Sequence, residues 1–170
     1  MAQKYFGEKL PANQLANEEM DAELVSMVSG LRDKYEAEME KYAFQNALAE
    51  VFKVISRANK YIDENAPWVL AKSEENKPRL ARVLYNLLET VRVCAGLLTP
   101  FMPSTAEEIS LRLGGAAMDW ESLGSYGVLP RDVAPVAGPA LFPRIDMEKE
   151  LAALEELNAK LNAPAKPAIE

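Results

Sequence analysis

"FQNALAEVFKVISRANKYIDENAPWVLAK", residues 44–72, decides the fold. Phe44, Leu48, Val51, Ile55, Ala58 and Ile62 recur at alternating steps of four and three, which places them on one face of an α-helix. The spacing predicts a helix from about Tyr42 to Asp63, and Pro67 prevents a simple continuation. A short turn through "APWVLAK" is expected next, with Trp68 directly after the proline. Two accounts of Trp68 stand side by side. Its indole packs into the corner of a helical bundle, or it is a platform on which an unpaired nucleobase stacks while nearby Arg and Lys take the phosphates.

Working outward, the upstream residues Met20, Leu24, Met27, Val28 and Leu31 recur at helical spacing. They predict one helix from Asn17 to about Met39, with Glu18, Glu19 and Asp21 near its positive end. "AQKYF" at 2–6 reads as the last turn of a truncated helix, and the loop after it is broken by Gly7 and Pro11. Downstream, a third long helix begins near Asn76 and Pro78, with Leu80, Leu84, Leu87, Val91, Cys94 and Leu98 on one face. Val83 and Leu88 widen that stripe, as suits a helix with more than one neighbour, and Pro100 and Pro103 stop it.

"STAE" at 104–107 fits a capping box, with Ser104 as N-cap and Glu107 three residues on, opening a helix that ends at Gly114. Residues 115–144 have many Gly and Pro and no sustained period, so loops are expected, with "MDWESLG" a short turn and Trp120 structural. A last helix, capped by Asp146, carries Leu151, Leu154, Leu157 and Leu161 on one side. "NAPAKPAIE" closes the chain as a Pro/Ala-rich linker. The fold class is all-α: an antiparallel helix bundle with an irregular segment at 115–144. Its parts are a tail and loop at 1–16, a helical domain at 17–162 and a linker at 163–170.

Composition narrows the function classes. The 170 residues are 49% hydrophobic, enough for one domain with a real core. There is no leader-like apolar run at the N-terminus, and no apolar stretch of the ~18 residues a membrane span needs. A soluble, cytoplasmic protein is the expectation. The lone Cys94 cannot form an internal disulfide or a zinc site and reads as core. The absence of histidine excludes Ser-His-Asp and Cys-His nucleophilic sites. No catalytic residue, metal site or cofactor is therefore assigned to this chain.

The net charge of −7 argues against a general nucleic-acid coat, yet its distribution is uneven; no DNA partner is expected. Residues 53–82 carry seven positive groups (Lys53, Arg57, Lys60, Lys72, Lys77, Arg79, Arg82) against four negative ones, and this basic region flanks Trp68.

Residues 44–72 resemble the anticodon-binding helix bundle of bacterial methionyl-tRNA synthetases, most specifically in "NKYIDENAPW". "LLTPFMPSTAEEISLRLG" (97–114) and "PALFPRID" (139–146) resemble further landmarks of that domain, in the same order. The resemblance implies a class I synthetase anticodon-binding bundle that recognises methionine-accepting tRNA. It implies that Trp68 contacts bases of the CAU anticodon, with Asn65 and Pro67 as its partners. Arg57, Lys60, Lys72, Lys77 and Arg79 become candidates for tRNA phosphates, although a solvated helix surface explains any one of them.

The family's further anticodon residues, an asparagine and an arginine on a helix running into "KYF", would precede Met1 here. Its two nucleotide-binding signatures have no counterpart in these residues. The resemblance therefore implies a C-terminal piece of an ATP-dependent methionine–tRNA ligase, whose catalytic domain lies on the same polypeptide and holds the ATP. Two other readings stand against this one: a helical protein-interaction scaffold acting through Leu151, Leu154 and Leu157, or the equivalent domain of another class I synthetase.

Overall fold

The computed structural model describes residues 1–7, 9–11 and 17–161, and all regular elements among them are helical. The first compact unit spans Met1–Gly138. It contains α1 (Ala2–Phe6), α2 (Glu19–Ser29), α3 (Leu31–Met39), α4 (Phe44–Asn65), α5 (Pro67–Leu70), α6 (Lys77–Leu98), α7 (Pro103–Arg112) and α8 (Trp120–Leu123). No helix among the described residues is long and apolar enough to cross a membrane. The linker expected at 163–170 lies outside the described residues.

The central element is α6, with 15 of its 22 residues buried. It belongs to two apolar clusters. In one, Val83, Val93, Cys94 and Leu97 meet Leu24 and Val28 of α2, Leu31 and Tyr35 of α3, and Ala47, Val51, Val54 and Tyr61 of α4. In the other, Leu80, Ala81, Leu84 and Tyr85 meet Leu10, Leu113, Ala116, Leu129 and Val133, with Ala2, Tyr5 and Phe6 of α1 packed alongside. The broad stripe read from the sequence thus serves two cores. Hydrogen bonds join Tyr61 to Asn86 and Asn65 to Arg79, so α4 and α6 run antiparallel.

Four local expectations are corrected. The helix foreseen from Asn17 to Met39 is two, because Gly30 leaves helical geometry at φ −96°, ψ 4°. Glycine in a helix interior costs about 1 kcal/mol relative to alanine, so a bend there is cheap. α2 starts at Glu19, two residues after the expected start at Asn17, with Glu18 as its N-cap in a reciprocal box with Asp21. Ser104 does not cap α7: Met102 holds that position and Pro103 supplies the first turn.

The fourth correction concerns the face of α4. Its buried residues are Ala47, Val51, Val54, Tyr61 and Asn65, whereas Phe44 is exposed and Ile55 and Ala58 are only partly buried. The helix is apolar on two sides. One side packs on α2 and α3. The other, through Ile55, Ala58 and Ile62, joins Leu87, Val91, Leu98 and Ile109 in an open apolar groove of about 310 Å³.

Within the irregular segment the expected turn is α8, capped by Asp119, whose carboxylate accepts from the Ser122 amide at 3.0 Å. Trp120 is exposed on one side, with the Arg32 guanidinium 5.7 Å from its ring. The second unit begins at Pro139 and contains α9 (Met147–Leu161). The Asp146 carboxylate accepts from the Lys149 amide, as expected of its cap, and Leu151, Leu154 and Leu157 are each 53% exposed.

Candidate nucleic-acid interface at the Trp68 corner

α4 ends abruptly. Ala66 takes a left-handed conformation (φ 43°, ψ 62°), and Pro67 opens the single turn of α5. A non-glycine residue in that region costs roughly 1–2 kcal/mol, so the surroundings must hold it there. Pro67 is buried, its fixed φ suited to the first position of a helix. Trp68 and Val69 then face outward, 45% and 50% exposed. The corner therefore holds an indole out on a stiff support.

The support is a buried polar network beneath the corner. The Arg79 guanidinium donates in a fork to both oxygens of Asp21, at 2.7 and 2.8 Å. The same group donates to Asn65 Oδ1 at 2.6 Å, and Asn65 Nδ2 donates back to the Tyr61 carbonyl at 2.9 Å. Tyr61 Oη donates to Asp21 Oδ1 at 2.5 Å and accepts from Asn86 Nδ2 at 3.2 Å. Tyr126 in turn donates to Asn86 Oδ1 at 2.7 Å.

Burial alone would raise the Asp21 carboxyl. The hydrogen bonds from Arg79, Tyr61 and the Glu18 amide outweigh burial and hold it below the ordinary aspartate range. Burial and the adjacent Asp21 carboxylate push the Tyr61 hydroxyl well above the usual tyrosine range.

The structure divides the residues singled out in the sequence. It brings Asn65, Pro67, Trp68 and Arg79 together at one corner. Asn65 is 8% exposed and its amide is engaged within the network, so its bearing on any ligand runs through the shape of the corner. Arg57 is committed to carboxylates, with Glu23 at 2.5 Å and Glu64 at 2.9 Å. Lys60 lies 3.6 Å from Glu64, and Lys77 lies 2.7 Å from Glu74. Lys72, four residues beyond Trp68, is exposed.

Sequence reading missed Asp21, Tyr61 and Asn86. Asp21 has the ordinary look of an acid near a helix start, and its partner Arg79 lies 58 positions away. No metal-binding cluster of His, Cys, Asp or Glu occurs among the described residues. What the corner offers chemically is a half-exposed aromatic face, with the exposed Lys72 four residues further along the chain.

Residues 10–162 match the family model described as the anticodon binding domain of methionyl tRNA ligase. The chain belongs to this family. Methionine–tRNA ligase of Caldanaerobacter subterraneus is 47% identical over 158 residues, which span 92% of this chain and 24% of that protein. The Clostridium tetani enzyme is 45% identical over 159 residues, 94% of this chain and 24% of the relative.

Among solved structures, apo methionyl-tRNA synthetase of Mycobacterium tuberculosis superposes with a TM-score of 0.78 at 30% identity, over 86% of this chain and 30% of that one. The same enzyme bound by methionyl-adenylate gives 0.76 over 84% and 28%. The anticodon-binding domain thus spans about a quarter of the length of the curated relatives it matches. The family match sets aside the equivalent domain of another class I synthetase.

Proposed function

We propose that this domain reads the anticodon of methionine-accepting tRNA for a methionine–tRNA ligase that carries it. One observation supports the reading most: within a family named for anticodon binding, the indole of Trp68 stands half exposed on a rigid corner. Aromatic side chains held this way stack on bases splayed out of a loop, each stack worth roughly 1–3 kcal/mol. The domain supplies recognition, while joining methionine to tRNA with ATP belongs to the remainder of the polypeptide. The setting is the cytoplasm, where tRNA is charged.

Arg57, already paired with two carboxylates, is a poor phosphate ligand. Lys60, Lys72 and Lys77 are the better candidates, since lysine pairs on exposed surfaces contribute little and exchange readily.

The test is a titration of the complete polypeptide with a methionine anticodon stem–loop and a copy whose CAU bases are replaced. Preference for the CAU loop, abolished by Trp68→Ala with methionyl-adenylate formation unchanged, is the expected result. Equal binding to both loops that collapses with salt overturns the reading, since it reflects phosphate attraction alone. The interaction-scaffold alternative draws on the exposed leucines of α9. It requires that Leu151→Ala or Leu154→Ala, and not Trp68→Ala, remove binding of a protein partner.

A further inference from the structure

We infer that Arg79 is a positioning residue for the base-reading surface: its hydrogen bond to Asn65 clasps the two ends of the segment that carries Trp68. The inference rests on the anticodon-reading function proposed above and assigns a specificity role within it.

Asn65 is the last residue of α4 and Arg79 the third of α6. Between them run the left-handed Ala66, the single turn of α5 and the 3-10 turn Glu74–Asn76. A connection of this length is loose unless its ends are held. The 2.6 Å contact from Arg79 Nη2 to Asn65 Oδ1 holds them. The clasp is itself anchored, because Arg79 also forks onto Asp21 of α2, whose side chain is fully buried. Three helices thus meet at one guanidinium directly under the corner.

A lysine could satisfy one of these partners but not all, since only the planar fork reaches Asp21 bidentately while donating to Asn65. The Arg79 side chain is 13% exposed, which leaves little of it for an RNA phosphate. Its effect on recognition passes through Trp68. Stacking alone tolerates any base, but a ring fixed in place holds the splayed base where its edges can be read, so a wandering indole costs discrimination between loops.

The experiment compares Arg79→Met and Asn65→Ala in the complete polypeptide. Binding to the CAU stem–loop and to its base-replaced copy is measured at several salt concentrations beside a melting curve. Asn65→Ala removes the clasp while leaving the Arg79–Asp21 pair in place, so it decides the matter even where Arg79→Met fails to fold. The expected result is that each variant loses about tenfold in preference for the CAU loop. Binding to the replaced loop and the salt slope stay as in the parent, and the double variant is no worse than either single one.

If Arg79→Met weakens both loops equally and lowers the salt slope by about one while Asn65→Ala is silent, Arg79 is a phosphate contact and the inference fails. It fails equally if both variants discriminate as the parent does. A parent that shows no preference, or keeps it in Trp68→Ala, marks failure of the anticodon reading itself and removes the inference with it.

Discussion

Glu89 and Arg92 face each other one turn apart on α6, both side chains fully buried, with Arg92 Nη2 donating to Glu89 Oε1 at 2.8 Å. Neither group is satisfied by the other alone. Glu89 also accepts from the backbone amides of Gly127, Val128 and Leu129, at 2.8–3.1 Å. Arg92 donates to the carbonyls of Ala117, Ser122 and Ser125. The pair thereby moors a stretch with little regular structure to the central helix. Such a stretch has no ladder of its own, so its backbone groups take partners from side chains.

Removing one member leaves the other buried without an opposite charge, although its backbone partners remain. Glu89→Ala is expected to destabilise the fold by roughly 3–5 kcal/mol, read from the midpoint of urea unfolding. Lys77→Ala, which breaks the exposed pair with Glu74, is expected to cost less than about 1 kcal/mol.

At the corner, the exposed ring and the buried hydroxyl are expected to differ in what they contribute to stability. Trp68→Ala removes a half-exposed side chain and is expected to lower stability by roughly 1 kcal/mol. Tyr61→Phe changes one buried atom, yet takes a hydrogen bond from the Asp21 carboxylate. It is expected to cost about 1.5–3 kcal/mol. Melting temperatures of the two variants, measured side by side, check the order.

Acid acts on Asp21 first among the buried groups of the network. Its carboxyl lies below the ordinary value of 3.8 when folded, so the stability it contributes is fully present above about pH 4. That contribution is lost as pH falls through the lower folded value, because the unfolded chain then binds the proton more readily. Urea midpoints are expected to hold steady from about pH 6 to 5 and to fall below about pH 4. In Asp21→Asn the fall is shallower, from a lower starting stability.

Cys94 is 4% exposed, and burial pushes its thiol up to about 12. A disulfide reagent at pH 8 is expected to label the native chain at least about a hundredfold more slowly than the chain in urea. Labelling at the unfolded rate would place the thiol in solvent.

Much of this was legible in the residues. The ends of α4 and α6, the corner at Pro67, helical geometry at "AQKYF" and the cap at Asp146 all follow from periodicity and from proline and charge chemistry. Which side of α4 is buried did not follow. Ala47 is too small, and Tyr61 and Asn65 too polar at their tips, to register in an apolar pattern, although all three are interior. The polar network was illegible for another reason. Asp21, Tyr61, Asn65 and Arg79 look like ordinary surface residues until the fold closes distances of up to 58 positions. Trp68 stood undecided on composition, and the resemblance of its neighbours pointed to its role. Burial at Pro67 beside exposure at Trp68 is a property of the corner in three dimensions.

The positive φ at Ala66 also restricts how this corner can drift over generations. Few amino acids tolerate a left-handed backbone there: glycine at no steric penalty, asparagine and aspartate with local hydrogen bonds, alanine at a modest one. Glycine would remove the strain but loosen the unfolded chain, and any β-branched residue would force the hinge to a new angle. The position two residues before Trp68 thus has a short alphabet. A substitution there that shifts the backbone re-aims the Trp68 ring while leaving the side chains around it unchanged.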